Sequence, residues 1–172
     1  MPHIMPHVIP GVDPATHPAL AEIERQTGPN NFLRLMAHRP EALQDFFRFH
    51  QTVMNTTGTI EQRLKEILYL AVSTVNECDR CTHYHHRSGE RAGLTAKEIN
   101  EIATEQNQNF SVHERTALMY ARELTRTASV SGDLRYKLQE YYSPAQCVEI
   151  TMVIGLANFT NRFNNGLAVA PD

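Results

Sequence analysis

The sequence predicts an all-α fold, a multihelical bundle built around one buried central helix. Three observations carry this. Capping signatures recur along the chain, each a Ser or Thr followed three residues later by Glu or Gln. Residues 67–72, Ile-Leu-Tyr-Leu-Ala-Val, are apolar nearly all round, as suits a helix enclosed by others. No segment of strand length alternates apolar and polar residues, so a sheet has nothing to be made of.

Taken in order, the first seventeen residues hold four prolines and three histidines without a sustained period. They predict an extended arm over 1–17, followed by a single helical domain over 18–172. A short helix is expected near 18–26, broken at Gly28-Pro29, and the helical pattern resumes through Asn31-Phe-Leu-Arg-Leu-Met-Ala. Pro40 suits the first position of the next helix, where its missing N–H would have no partner anyway. Leu43, Phe46, Phe47 and His50 share a stripe of that helix. Thr59 and Gln62 read as a capping box opening the central helix. The helix after it begins near Cys78 and stops at Gly93, a residue that takes up the left-handed conformation of a C-terminal cap. Thr95 with Glu98, Ser111 with Glu114, and Ser143 with Gln146 open three more, the last with Pro144 at its first position.

Composition narrows the function. Of the 172 residues 41% are hydrophobic and 20% charged, enough to bury roughly two-thirds of the unfolded chain's surface without disulfide staples. No apolar run approaches the roughly twenty residues of a membrane span, so none is expected. Met1-Pro-His-Ile-Met-Pro-His lacks the basic flank and apolar stretch of a secretory signal, which points to the reducing cytoplasm. A net charge of -3, with Lys and Arg scattered, lacks the footprint of a nucleic-acid binder.

In that compartment a Cys-x-x-Cys pair reads as redox or metal chemistry before it reads as a structural bridge. With residues 78–90 helical, Cys78, Cys81 and His85 fall within about 60° of one another. Residues i and i+3 of a helix have α-carbons about 5 Å apart, inside the disulfide range, so the pair can open and close with little backbone movement. Cys78 at the helix start places a thiolate against the positive end of the helix. His85, one turn beyond Cys81, can accept or relay a proton near neutral pH. Glu66 on the preceding helix is the candidate to orient His85 or act as a base, with Ile67, Leu68 and Leu70 supplying partial burial that favours its protonated form.

Other readings stand beside these. Cys78, Cys81, His85 and Cys147 could together bind zinc, although ligands from one helix fit a tetrahedron poorly. The pair could be passive core thiols, and Glu66 could be a structural partner of Arg63. Cys147, among Val148, Ile150, Met152 and Val153, reads as an inert buried thiol. His83 and His86 lie off the Cys/His stripe, exposed or at a subunit interface. Tyr69, Phe159 and Arg162 are candidate pocket residues, with core packing the competing account of Tyr69 and Phe159.

The residues Lys65-Glu66, then Cys78-Asp-Arg-Cys81-Thr-His-Tyr-His85, then Arg91-Ala-Gly-Leu-Thr-Ala-Lys-Glu98-Ile resemble the carboxymuconolactone decarboxylase and alkylhydroperoxidase D-like (AhpD-like) family. The resemblance runs from about residue 29, with Pro29–Pro40 and Asn158-Phe-Thr-Asn-Arg-Phe163 agreeing as well. It implies a multihelical fold assembled into homo-oligomers, trimers or hexamers, with active sites near subunit contacts. It implies that Cys81 is the peroxidatic thiolate attacking a small organic hydroperoxide, that Cys78 resolves the sulfenic acid to a disulfide, and that His85 and Glu66 relay protons. An external dithiol, a lipoylated or thioredoxin-like protein, would reduce the disulfide, and no bound organic cofactor or metal is needed. The best-known peroxidase members carry a histidine immediately before the second cysteine; Arg80 stands there in this chain and cannot take up a proton. Two rival functions are a carboxymuconolactone decarboxylase-type enzyme of aromatic-acid degradation, whose chemistry does not depend on a Cys-x-x-Cys pair, and a non-enzymatic thiol redox sensor.

Overall fold

Capping chemistry sets most of the helix boundaries. In the computed structural model, which describes residues 9–170, the order is α1 (Pro18–Thr27), α2 (Asn31–Met36), α3 (Pro40–Met54), α4 (Gln62–Val75), α5 (Asp79–Arg91), α6 (Ala96–Ala103), α7 (Val112–Thr127), α8 (Gly132–Tyr141) and α9 (Pro144–Gly166). There is no strand among the described residues. The all-α expectation therefore holds. Residues 1–8 of the expected arm lie outside the described residues; within its remainder, Pro14–Thr16 form a 3-10 turn capped by Asp13.

The chain divides into two compact units, one taking the residues up to His50 and those from Phe163 on, the other Gln51–Arg162. In the first, Leu20 and Ile23 of α1, Phe32, Leu33 and Met36 of α2 and Leu43 of α3 close a core with Val169. Phe32 packs against two further rings, 5.1 Å from that of Phe46 and 4.9 Å from that of Phe163. Gly28 ends α1 at φ 82°, a backbone state that only glycine adopts without penalty.

In the second unit α4 is the buried central helix, with every residue from Leu64 to Ser73 withdrawn from solvent. It packs against α5, α6 and α7. Lys65, Glu66 and Ser73 go into this interior, and each is hydrogen-bonded there, as buried polar groups must be. Lys65 Nζ donates to the carbonyls of Val53 (2.8 Å) and Asn55 (2.7 Å) and pairs with Glu149 Oε1 at 2.6 Å.

The capping boxes expected at Thr95/Glu98, Ser111/Glu114 and Ser143/Gln146 all form. Arg63 of α4 links the first two, pairing through its guanidinium with both Glu98 and Glu114 and donating to the carbonyl of Gly93. The capping box expected at Thr59/Gln62 does not form: α4 starts at Gln62 behind Glu61, with no side-chain cap. The Thr59 N–H, which the Gln62 side-chain oxygen would accept in a capping box, goes instead to a carboxylate, a stronger acceptor than a neutral amide oxygen. Thr59 donates its N–H and hydroxyl to Glu149, and Gln62 Nε2 donates to Glu66 Oε1. Helix α8 was not anticipated at all, because Ser131 makes no side-chain cap and Gly132 opens the helix, leaving no capping signature to read.

Candidate active site

The connection between α4 and α5 positions the cysteines. The Cys78 N–H donates to the Ser73 carbonyl (3.0 Å) and the Glu77 N–H to the Thr74 carbonyl (3.1 Å), the pair of bonds that ends a helix in a Schellman turn. The turn needs a left-handed residue, and Glu77 supplies it at φ 52°. Cys78, the residue after the turn, is at once the N-cap of α5. Cys78 thus stands at the start of the helix, as expected, in the N-cap position just before its first residue, and Cys81 is the third helical residue. The α-carbons of the pair are 5.3 Å apart and the two sulfurs are joined as a disulfide. Both sulfurs lie on the first turn of α5, where unpaired N–H groups favour a thiolate. Cys81 is 5% exposed and Cys78 1%, so Cys81 is the more accessible of the two.

His85 follows Cys81 by one helical turn and is buried. Its Nδ1 lies 2.7 Å from Glu66 Oε2 on α4. With Glu66 accepting at Nδ1, Nε2 is the nitrogen left to exchange a proton with a reacting group. Gln62 holds the other carboxylate oxygen at 3.0 Å. The Tyr69 ring lies flat against the imidazole, centroids 3.6 Å apart and planes inclined by 17°. Glu66 is thus bound to His85 and Gln62, while Arg63 is bound to Glu98 and Glu114, so the Glu66–Arg63 pairing weighed from the sequence is not the one the fold makes.

The structure joins the four residues expected at the site as two pairs, Cys78 with Cys81 and Glu66 with His85, and Cys81 and His85 stand one turn apart on α5. It leaves Cys147 aside as a free, partly buried thiol whose Sγ faces the Tyr142 carbonyl at 3.5 Å. Burial pushes the Cys147 thiol above its ordinary pKa, which keeps it protonated and unreactive. Among the described residues no three His, Cys, Asp or Glu side chains are grouped to hold a metal ion. His83 is exposed, and together with Asp79, Thr82, His86 and Arg87 it lines an open cleft of 570 Å³. Arg80, second in α5, is half-buried. Of the candidate pocket residues, Tyr69 joins the site, whereas Phe159 is half exposed and Arg162 pairs with Asn158.

Gln62 and Tyr69 were not counted among the site residues from the sequence. The signal was there: Gln62, Glu66 and Tyr69 are i, i+4 and i+7, one stripe of α4. From the sequence Gln62 reads as a cap, and Tyr69 as either a pocket or a core residue.

Comparison with known proteins bears on the fold. The chain is 26% identical over 110 residues to the uncharacterized protein YdfG of Bacillus subtilis strain 168, covering 62% of this chain and 75% of that one. Its fold matches the alkylhydroperoxidase AhpD core of a peroxidase-related protein from Ralstonia eutropha JMP134 with a TM-score of 0.79, at 19% identity over 94% of this chain and 87% of that one. It also matches the debrominase Bmp8, with a TM-score of 0.81 at 19% identity over 94% and 90% of the two chains. No helix among the described residues is long and apolar enough to cross a membrane. Residues 40–123, which contain Glu66, Cys78, Cys81 and His85, match the model of the carboxymuconolactone decarboxylase family, and over that stretch the chain is similar to the family.

Proposed function

We propose that the chain is a thiol peroxidase of the AhpD-like kind, reducing small organic hydroperoxides at the Cys78/Cys81 pair. The observation that carries this reading is a Cys-x-x-Cys pair joined as a disulfide one helical turn from a buried Glu66–His85 pair. In the reduced protein, His85 Nε2 takes the Cys81 proton, and the thiolate attacks the outer oxygen of the hydroperoxide. The O–O bond breaks, the proton returns to the departing alkoxide, and Cys81 becomes a sulfenic acid. The Cys78 thiolate then attacks the Cys81 sulfur and water leaves, closing the disulfide. In sum two thiols and one hydroperoxide give one disulfide, one alcohol and one water.

Cys81 is favoured as the attacking sulfur by its greater exposure and by His85 standing one turn further along the same helix. An external dithiol protein, lipoylated or thioredoxin-like, returns the two electrons by disulfide exchange in a reducing cytoplasm. Assembly into a homo-oligomer, a trimer or hexamer, belongs to the same reading. Arg80 offers a fixed positive charge on the first turn of α5 but no proton, so proton transfer falls to His85 backed by Glu66.

The test is a thiol titration of the reduced protein before and after one equivalent of cumene hydroperoxide, with mass spectrometry to locate the bond. Loss of two thiols as a Cys78–Cys81 link, abolished in Cys81→Ser, is expected. Survival of both thiols overturns the proposal. A second reading has one observation in its favour, the fold shared with a debrominase. The same dithiol can reduce a carbon–bromine bond, giving the hydrocarbon, bromide and a proton with the disulfide. Release of bromide from a bromopyrrole, with hydroperoxide left untouched, would decide for it.

A further inference from the structure

We propose that Tyr69 is a positioning residue that sets the plane of the His85 ring, being itself anchored to α9 through Thr160. An imidazole turns about two side-chain torsions, the second of which is broad. The hydrogen bond from Nδ1 to Glu66 fixes one atom of the ring and leaves the ring free to rock about that point. A phenol face at 3.6 Å, inclined by only 17°, removes that freedom. Tyr84 also touches His85, but edge-on at 5.2 Å and from a half-exposed position, so it does not define the plane.

The phenol can act as a wall because it is held at its far end. Its hydroxyl lies 2.5 Å from Thr160 Oγ1, and Thr160 Oγ1 donates in turn to the Ala157 carbonyl at 3.1 Å. With the Thr160 proton committed to a carbonyl, the direction is settled: Tyr69 donates to Thr160 and Thr160 to Ala157. All three residues are buried, so no water competes for these bonds. Helix α4 therefore presents His85 with an edge partner, Glu66, and one turn later a face partner, Tyr69, a pairing that i and i+3 spacing makes possible. The consequence is that Nε2 points in one direction, which a proton exchange with a thiol requires.

The ring-positioning claim stands on geometry alone; its kinetic consequence rests on the thiol-peroxidase reading, and the test separates the two. Three variants are compared with wild type: Tyr69→Leu, which removes the face; Tyr69→Phe, which keeps the face and loses the anchor; and Thr160→Val, which cuts the anchor from the other side. The readouts are the nitrogen–proton spectrum of the His85 imidazole, assigned with His85→Gln, and the rate at which cumene hydroperoxide closes the disulfide.

In wild type the Nδ1–H tautomer is expected with a slowly exchanging proton. In Tyr69→Leu that proton should be lost to exchange and the rate should fall about tenfold, the scale of a small misplacement of a catalytic group. Tyr69→Phe should restore the rate to within about threefold, because the face is kept. A Tyr69→Leu protein with the wild-type imidazole spectrum overturns the proposal, whatever its melting temperature. Should that variant not fold, Tyr69→Met, which also lacks the flat face, is read in its place, and a wild-type imidazole spectrum there overturns the proposal equally. A changed spectrum in Tyr69→Leu, with no disulfide formed even in wild type, supports the positioning role and ends the peroxidase reading.

Discussion

Nδ1 of His85 sits 2.7 Å from Oε2 of Glu66, and both side chains are shut off from water. A carboxylate in that place fixes the tautomer and supports positive charge on the ring as a proton arrives at Nε2. Glu66→Gln keeps the shape and an acceptor but removes the charge. The rate of disulfide closure by hydroperoxide, followed by stopped flow, should then fall by about two orders of magnitude, the lower end of what general acid–base assistance supplies. A wild-type rate would remove Glu66 from the relay.

Lys65 and Glu149 form an ion pair whose lysine is wholly enclosed and whose spare protons go to two carbonyls. Gly58 lies against the same pair, with no room for a Cβ. Lys65→Ala leaves the Glu149 carboxylate with Thr59 as its partner and no neutralising charge, and should cost about 3–5 kcal/mol in urea unfolding, the usual loss when one member of a buried pair is removed. Lys65→Met combined with Glu149→Gln should recover most of it. If the single variant loses under about 1 kcal/mol, the pair is not the clasp described here.

Glu77 stands left-handed at φ 52° between α4 and Cys78, where the equivalent turn at the end of α5 uses Gly93 at φ 89°. A side chain in that conformation costs about 1 kcal/mol more than glycine. Glu77→Gly should therefore raise the unfolding free energy by about that amount, as measured by denaturant titration. A destabilised variant would show that the Glu77 side chain makes contacts worth more than its backbone penalty.

Acid should act through the Arg63 node. Burial alone would raise the Glu98 and Glu114 carboxyls, but hydrogen bonds from Arg63, from Thr95 at Glu98 and from Ser111 at Glu114 outweigh it and hold both below the usual range. Groups whose folded pKa is depressed contribute stability that is present above the unfolded carboxylate pKa and lost as pH falls through the folded one. The melting temperature should therefore hold down to about pH 4.5 and drop below it, near the ordinary glutamate value. In Arg63→Met the baseline should be lower and the acid drop shallower. An equally steep drop would place the acid-sensitive carboxylates elsewhere.

Much of this was legible one residue at a time. Pro40, Gly28, Gly93 and the boxes at Thr95, Ser111 and Ser143 act within a turn of themselves, and each appears where local chemistry puts it. The all-round apolarity of 67–72 likewise marked the buried helix. Thr59 and Gln62 have the same local signature, yet Glu149, ninety residues away from Thr59, and Glu66 take them over. Helix α8 carried no cap to read and buries only Leu134 and Leu138.

The candidate site divides along the same line. The Cys78–Cys81 spacing and His85 one turn later are properties of a single helix start, and helical geometry alone brings them together. That Glu66 reaches His85 and not Arg63, that Tyr69 lies flat on the imidazole, and that Thr160 anchors Tyr69 depend on which helices pack against α4 and in what rotation. Sequence by itself determined most of the helices, the ends that carry local caps and the face of α5 that bears the thiols, because those follow from interactions within a few residues. Only the tertiary structure decided which buried carboxylate meets which base, since that pairing depends on how α4, α5 and α9 pack, and no local pattern records it.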